Sequence, residues 1–263
     1  MNHAGEIVPL VAQVRPRVAI VTTVEPVHIE YFPDGIAGIA AAKAEIFTGV
    51  EPGGSAIINR DNPFYETLAL KAIEAGVERI LGFGENPDAE GRLVSAELAA
   101  DHSRVVASIL GREIDFVIGA PGRHIVQNAL AVLLAAAELG ADLEAAASSF
   151  ADLSAPKGRG SRHRLQIGDG GALLIDESYN ANPTSMRAAI AVLGSTAPAS
   201  GGRRIAVLGD MLELGAESPS LHAALAEPLA AAGVDRVFVA GPFMASLWQA
   251  LPPAMKGYYA EKA

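Results

Sequence analysis

Three short β-branched runs, Arg17-Val-Ala-Ile-Val-Thr-Thr23, Ser55-Ala-Ile-Ile-Asn59 and Arg79-Ile-Leu-Gly-Phe83, alternate with two stretches of helical periodicity. The first helical stretch covers residues 36–50 and is closed by Gly49 or Gly53; the second opens at Asn62-Pro63 and runs to about Ala75. Asn is a good cap, and proline at the first helical position loses no hydrogen bond. Continuous apolar runs suit strands buried on both faces, and parallel strands need long, usually helical, crossovers. Strand, helix, strand, helix, strand therefore predicts a parallel, doubly wound α/β sheet. The pattern then changes. Residues 93–98, 104–110 and 114–118 are three short strands with no helix between them, which predicts an antiparallel edge. A long alanine-rich helix follows over 126–139, and another after Asp142.

Ser154-Ala-Pro-Lys-Gly-Arg-Gly-Ser161 is small, basic and broken by Pro and Gly, as a linker is. Beyond it the alternation restarts, with strands at 172–176, 204–208 and 236–240 and helices at 185–193, 221–232 and 244–251. The expectation is two α/β domains, 1–157 and 158–263. The first clear strand has no partner before it, and the chain stops soon after the third strand of the second domain. Both ends therefore read as cut.

Composition narrows the function. Half the residues are hydrophobic and 19% are charged, which supports a real core. Lys+Arg number 20 against 30 Asp+Glu, a formal net charge of −10. Such a chain lacks a broad cationic face for nucleic acid, while a local pocket for a small anion stays open. The absence of cysteine excludes disulfides, thiolate zinc sites, iron–sulfur clusters and a cysteine nucleophile. No run reaches the roughly 18 apolar residues of a membrane helix, and no signal-peptide pattern opens the chain. A cytoplasmic protein without a membrane span is expected. The 263 residues contain no G-x-x-x-x-G-K-[ST] loop, no G-x-S-x-G elbow and no Rossmann glycine pattern.

Lys43 is the most informative single residue. Ile36, Ile39, Ala40, Lys43, Ile46 and Phe47 share one helical face, so a lysine sits inside an apolar stripe. It is either a side chain that snorkels to the edge or a buried functional amine whose pKa falls on desolvation. A neutral amine can add carbon dioxide and become a carbamate, an anionic oxygen ligand for Mg²⁺. His28 follows the first strand, where parallel sheets place their sites. Alone it is a loop histidine; together with Lys43, on the next helix, it makes a metal site. Asn59-Arg-Asp61-Asn62 ends the second strand and suits either helix capping or the ribose and adenine edges of a nucleotide. Gly122-Arg-His124 and Asn128 open the long helix, as an entrance turn or an anion site. Gly158-Arg159-Gly160, with Arg162 and Arg164, is either a solvated hinge or a phosphate clamp. Asp176-Glu-Ser-Tyr179-Asn180-Ala-Asn182-Pro183 is the densest polar cluster, and Gly209-Asp-Met-Leu-Glu-Leu-Gly215 repeats the arrangement after the next strand. Either is turn chemistry or a ligand set.

These motifs, in this order and across essentially the whole chain, resemble the Mur ligases, the ATP-dependent amide-forming enzymes of peptidoglycan synthesis. The branch that adds D-alanyl-D-alanine to UDP-N-acetylmuramoyl-tripeptide is the nearest match. The last two motifs are the most specific. The resemblance implies a partial ATPase-type domain followed by a partial Rossmann-like domain. The family's nucleotide-sugar domain, Walker A loop and first Mg²⁺-binding Glu would precede Met1, and the end of its third domain would follow Ala263. It further implies that ATP phosphorylates the tripeptide carboxylate, that the amine of D-alanyl-D-alanine attacks the acyl phosphate, and that the complete protein is a monomer in the cytoplasm. His28 and carbamylated Lys43 would hold Mg²⁺. Asn59, Asp61, His124, Asn128 and Asp176 would line the nucleotide pocket, and Arg159 would stabilise phosphate charge. Asn2, His3, Tyr179, Asn180 and Asn182 would meet substrate. The family's Asn after Gly-x-His is Ile125 here. By itself the fragment is expected to be inactive. A non-catalytic nucleotide- or precursor-binding module, or a sister amide ligase such as a folylpolyglutamate synthase, is the alternative.

Overall fold

The helix Ile7–Val14 (α1) leads into Val18–Val21 (β1), which starts a parallel sheet. The structure, a computed structural model, describes residues 3–99 and 101–262. The chain separates into two compact units, Met1–Leu153 and Ser154–Ala263. In the first, Gly35–Ala44 (α2) is followed by Ser55–Asn59 (β2), Tyr65–Glu74 (α3), Arg79–Gly84 (β3) and Gly91–Leu98 (β4). Ser103–Ile109 (β5), Arg112–Ile118 (β6), Arg123–Glu138 (α4) and Leu143–Ser148 (α5) complete it. The strands form one six-stranded sheet in the order β1-β2-β3-β4-β5-β6. Neighbours from β1 to β4 are parallel, and β4, β5 and β6 are antiparallel, so the expected edge is present.

Burial explains why β2 reads as a continuous apolar run. Ile57 faces one core, with Phe83, Val105, Leu130 and Leu134. Ala56 and Ile58 face the other, with Ile39, Ala40, Phe47 and Leu68. The sheet is thus covered by helices on both sides, α4 on one and α2 and α3 on the other.

Two details differ from the sequence reading. The helix expected over 36–50 is α-helical only as far as Ala44; Glu45–Gly49 tighten into 3-10 turns. That brings Gly49 against α1, where a Cβ would stand 2.6 Å from the Val11 Cβ. The chain before β1 is also ordered as α1. Its Pro9 hides the helix from a sequence reading, yet in the first turn the missing N–H has no intrahelical partner to lose.

The second unit begins with a hairpin of Ser161–Ile167 (β7) and Gly170–Asp176 (β8). It then runs Pro183–Ser195 (α6), Ile205–Gly209 (β9), Ser218–Ala223 (α7), Ala226–Ala231 (α8), Arg236–Ala240 (β10), Ala245–Ala250 (α9) and Lys256–Ala260 (β11). β9, β10 and β11 form a parallel sheet in the order β11-β10-β9. The strand expected at 172–176 is therefore not part of that sheet: it pairs antiparallel with β7 across the two-residue turn Gly168-Asp169. Gly168 takes φ 56°, the conformation such turns demand. β11 follows the third expected strand. The core of the unit gathers Ile190, Met211, Leu214, Leu229, Val237, Val239 and Leu247 on one sheet face.

Candidate functional site

In the first unit the candidate residues lie where β1, β2 and β3 end. Asn59 is buried at the end of β2. Its Nδ2 donates to the Thr22 carbonyl at 3.0 Å and its Oδ1 accepts the Asp61 N–H at 2.9 Å. Asn62 repeats the device: Nδ2 donates to Thr23 Oγ1 and to the Val24 carbonyl, both at 3.2 Å, while Oδ1 accepts the Phe64 N–H. Two asparagines thus stitch the loop after β1 to the loop after β2. The Asp61 carboxylate reaches the next loop, accepting the N–H of Glu85 at 2.7 Å and of Asn86 at 2.9 Å. Gly84 makes this possible, because any Cβ there would collide with the Asp61 carboxylate. Asn59 and Asp61, expected as nucleotide ligands, each spend two side-chain hydrogen bonds on backbone and hold the loops that form the rim.

His28 sits in the left-handed region, φ 59°, at the head of the 3-10 turn Ile29–Tyr31. A non-glycine residue is uncommon there, and such strain concentrates at functional loops. Lys43 occupies the α2 stripe beside buried Ile39, Ala40 and Phe47. Burial lowers its pKa. Among the described residues no carboxylate pairs with its ammonium. A half-buried amine with no counter-charge is more easily neutral than an ordinary lysine. His3 lies over Tyr31, ring centroids 5.2 Å apart, with Nδ1 3.2 Å from Glu6 Oε1. Asn2 lies outside the described residues. Among the described residues no group of three or more His, Asp or Glu side chains converges in metal-binding geometry. By donor chemistry alone, His28 offers an imidazole nitrogen to a divalent cation, and Lys43 offers oxygen only as its carbamate.

At the start of α4, Gly122 (φ 125°) lies under the His124 ring, and a Cβ there would stand 2.9 Å from Cε1. This crowding partly desolvates an imidazole whose residue remains exposed, and lowers its pKa. Arg123 Nε donates to Glu85 Oε1 at 2.8 Å, and Gln127 Nε2 stands 3.4 Å from Asp61 Oδ2. The α4 N-terminus is thereby tied to the ends of β2 and β3. Asn128 is exposed one turn further on, and Ile125 packs into the core behind.

In the second unit, the Arg159 guanidinium stacks 4.2 Å above the Tyr179 ring. The backbone supports this: Tyr179 N–H donates to the Gly158 carbonyl at 3.0 Å and Gly160 N–H to the Asp176 carbonyl at 2.9 Å. Hydrogen bonds from Ser178 hold the Asp176 carboxyl pKa down, while burial and the neighbouring Asp176 push Glu177 up. Asn180 Oδ1 accepts the Ala181 N–H. Asn182 caps α6, accepting from Thr184 and Ser185 N–H at 3.1 and 2.9 Å in a reciprocal capping box. Asn182, expected to touch substrate, therefore has a structural task. Arg159, Tyr179 and Asn180 present exposed side chains.

The loop after β9 is also fixed. Asp210 Oδ1 accepts the Met244 N–H at 2.9 Å, and a Cβ on Gly241 would collide with its carboxylate. Fully buried His222 accepts the Met211 N–H at Nε2 (3.0 Å), and its Nδ1 stands 2.7 Å from the Ser218 carbonyl, which selects the tautomer protonated on Nδ1. Gln127, Glu177 and His222 were not singled out from sequence, and none carries a local signal; Asn62 was read as a cap or a nucleotide group, and the structure turns its side chain to the neighbouring loop.

Comparison with known proteins agrees with these motifs. The family described as Mur ligase middle domain matches residues 1–136, and that described as Mur ligase, glutamate ligase domain matches 163–262. The UDP-N-acetylmuramoyl-tripeptide–D-alanyl-D-alanine ligase of Escherichia coli (strain K12) is 36% identical over 241 residues, 91% of this chain and 51% of that protein. Its counterpart from Rickettsia prowazekii (strain Madrid E) is 32% identical over 252 residues, 96% of this chain and 54% of that protein. The chain thus spans about half the length of the curated relatives it matches. Among solved structures, crystal structure I of MurF from Acinetobacter baumannii superposes with a TM-score of 0.87 at 30% identity, covering 99% of this chain and 54% of that one. MurF ligase from Thermotoga maritima in complex with ADP, 22% identical, shares the fold with a TM-score of 0.81 over 98% of this chain and 56% of that one. Two family matches in chain order, on a fold whose loops carry the motifs, place this chain in the Mur ligase family.

Proposed function

We propose that this chain forms part of an ATP-dependent amide ligase that joins D-alanyl-D-alanine to UDP-N-acetylmuramoyl-tripeptide through an acyl phosphate. The observation that carries the reading is Lys43, a half-buried amine that no carboxylate among the described residues pairs with, on the helix that follows the His28 loop. Its neutral form attacks carbon dioxide through the nitrogen lone pair and loses one proton to solvent, giving an anionic carbamate. The carbamate and His28 would be two of the groups that hold Mg²⁺, which would supply charge neutralisation on the phosphates. Asn59, Asn62 and Asp61 keep the three loops at the strand ends in register, so the nucleotide meets a preorganised rim. His124 and Asn128 line it from the start of α4. In the second unit Asp176 accepts from the ribose, and Arg159 brings a cation that neutralises developing phosphate charge. Stacking on Tyr179 limits the conformations the guanidinium must give up. Tyr179 and Asn180 meet the peptide substrates.

The test is phosphate release with Mg-ATP, UDP-N-acetylmuramoyl-tripeptide and D-alanyl-D-alanine, run on this chain and on the complete ligase that contains it. The complete ligase is expected to release phosphate only with both cosubstrates, and Lys43→Ala to lower turnover by about 10³-fold or more. Wild-type turnover in that variant would remove the carbamate, and release without D-alanyl-D-alanine would remove the acceptor.

A further inference from the structure

Helix α1 has no cap of its own. Glu6, at its N-cap position, has helical φ and ψ and makes no capping hydrogen bond through its side chain. The first-turn N–H groups of a helix need partners from elsewhere. Here they come from a residue 40 positions along the chain. Glu45 Oε1 accepts the Gly5 N–H at 2.6 Å, and Oε2 stands 3.3 Å from the Ile7 nitrogen and accepts its N–H. A carboxylate at this place also complements the helix dipole. Glu45 lies two residues beyond Lys43, where α2 gives way to the 3-10 turns.

Two further contacts fix the same register. Gly49, one turn beyond Glu45, packs against the Val11 side chain and carbonyl. The His3 ring lies over Tyr31, in the turn that starts at His28. A slip of α1 by one residue would lose both Glu45 bonds and move Val11 off Gly49. His3, the His28 turn and the Lys43 helix are therefore held as one assembly; Glu45 is the charged tie at the start of α1, and the exposed Arg15–Glu51 ion pair is the one at its end.

We propose that Glu45 is a positioning residue: its carboxylate sets the 3–7 segment against the end of the helix that carries Lys43, and so fixes that segment beside the cation site. The proposal rests on the ligase reading above. A plain helix cap would have the same hydrogen bonds and no bearing on turnover, so the test must separate the two.

Hydrogen exchange on this chain reads the anchoring directly. Glu45→Ala is expected to speed exchange at Gly5 and Ile7 by about 10-fold or more while β2 and β3 keep their protection. In the complete ligase the same variant is expected to lower kcat, and to raise the half-activating Mg²⁺ concentration, by about 10-fold to 100-fold. The KM for D-alanyl-D-alanine should stay within about 2-fold of wild type, because the ligase reading gives the peptide substrates to Tyr179 and Asn180, which belong to the second unit. Glu45→Gln keeps one acceptor oxygen for the Gly5 N–H and should recover most of the loss. Unchanged exchange at residues 5 and 7 would overturn the anchoring. Faster exchange with wild-type kcat and Mg²⁺ dependence would reduce Glu45 to a cap and overturn the proposal. A wild-type complete enzyme that makes no amide bond would sink the ligase reading instead, while the exchange result would still stand or fall by itself.

Discussion

Lys43 shows what a sequence conveys about a single residue. Its place in the apolar stripe was legible from the 3/4 spacing alone, and the structure leaves it half-buried with a lowered pKa. Asn59 and Asp61 show the limit. Their positions at a strand end were legible, but the same side chains suit a ligand or a neighbouring loop, and only folding brings Thr22, Glu85 and Asn86 within reach. Glu45 gave no signal because its partners are some 40 residues away. Lys43 also makes a thermodynamic prediction. Its folded pKa lies below the unfolded 10.5, so the protonated amine costs the fold free energy at neutral pH. That cost is full below the folded pKa and fades as pH rises through the folded value towards 10.5. Lys43→Met should therefore raise the melting temperature of the first unit at pH 7, by about 2–4 °C. The gain should shrink towards pH 10 as the wild type recovers, and the variant ligase should be inactive. A melting temperature at pH 7 below that of wild type would show that the ammonium is well accommodated.

At the scale of elements, alternating apolar runs and helical stretches were enough for β1, β2, β3, α3 and the antiparallel edge. The misses have local causes. Pro9 masks α1; Arg162, His163, Arg164 and Gln166 make β7 look like polar linker; and β8 looks like a member of a parallel sheet until its hairpin partner is known. The strand-end loops are joined by side chains rather than by sheet hydrogen bonds, and this can be measured. Gly84→Ala forces a Cβ into the Asp61 carboxylate at φ 141°, and should destabilise the first unit by about 2 kcal/mol or more. Asp61→Ala should cost about 1–3 kcal/mol, because two loop N–H groups lose their acceptor. The double variant should cost clearly less than the sum, since the clash disappears with the carboxylate. Strict additivity in urea titrations would mean that the two positions do not meet.

At the scale of the whole molecule, the two units are joined by an exposed stretch that includes Leu153, Ser154, Pro156, Lys157 and Arg159. Brief trypsin treatment should cut first after Lys157, giving one fragment that ends there and one that begins at Gly158. A first cut inside α2 or α6 would show that local opening, not the connection, is the weak point. None of the described helices is long and apolar enough to cross a membrane. Each unit carries the same latch at its strand ends: an aspartate after one strand lying over a glycine at or just past the end of the next, Asp61 on Gly84 and Asp210 on Gly241. The members of each pair occupy one shared volume, so they form a single heritable unit. The carboxylate blocks a side chain at its glycine while the aspartate stays, and the positive φ, 141° at Gly84 and 114° at Gly241, strains one even after the aspartate is gone. Among descendants of this fold, the glycines at 84 and 241 should therefore outlast the aspartates at 61 and 210.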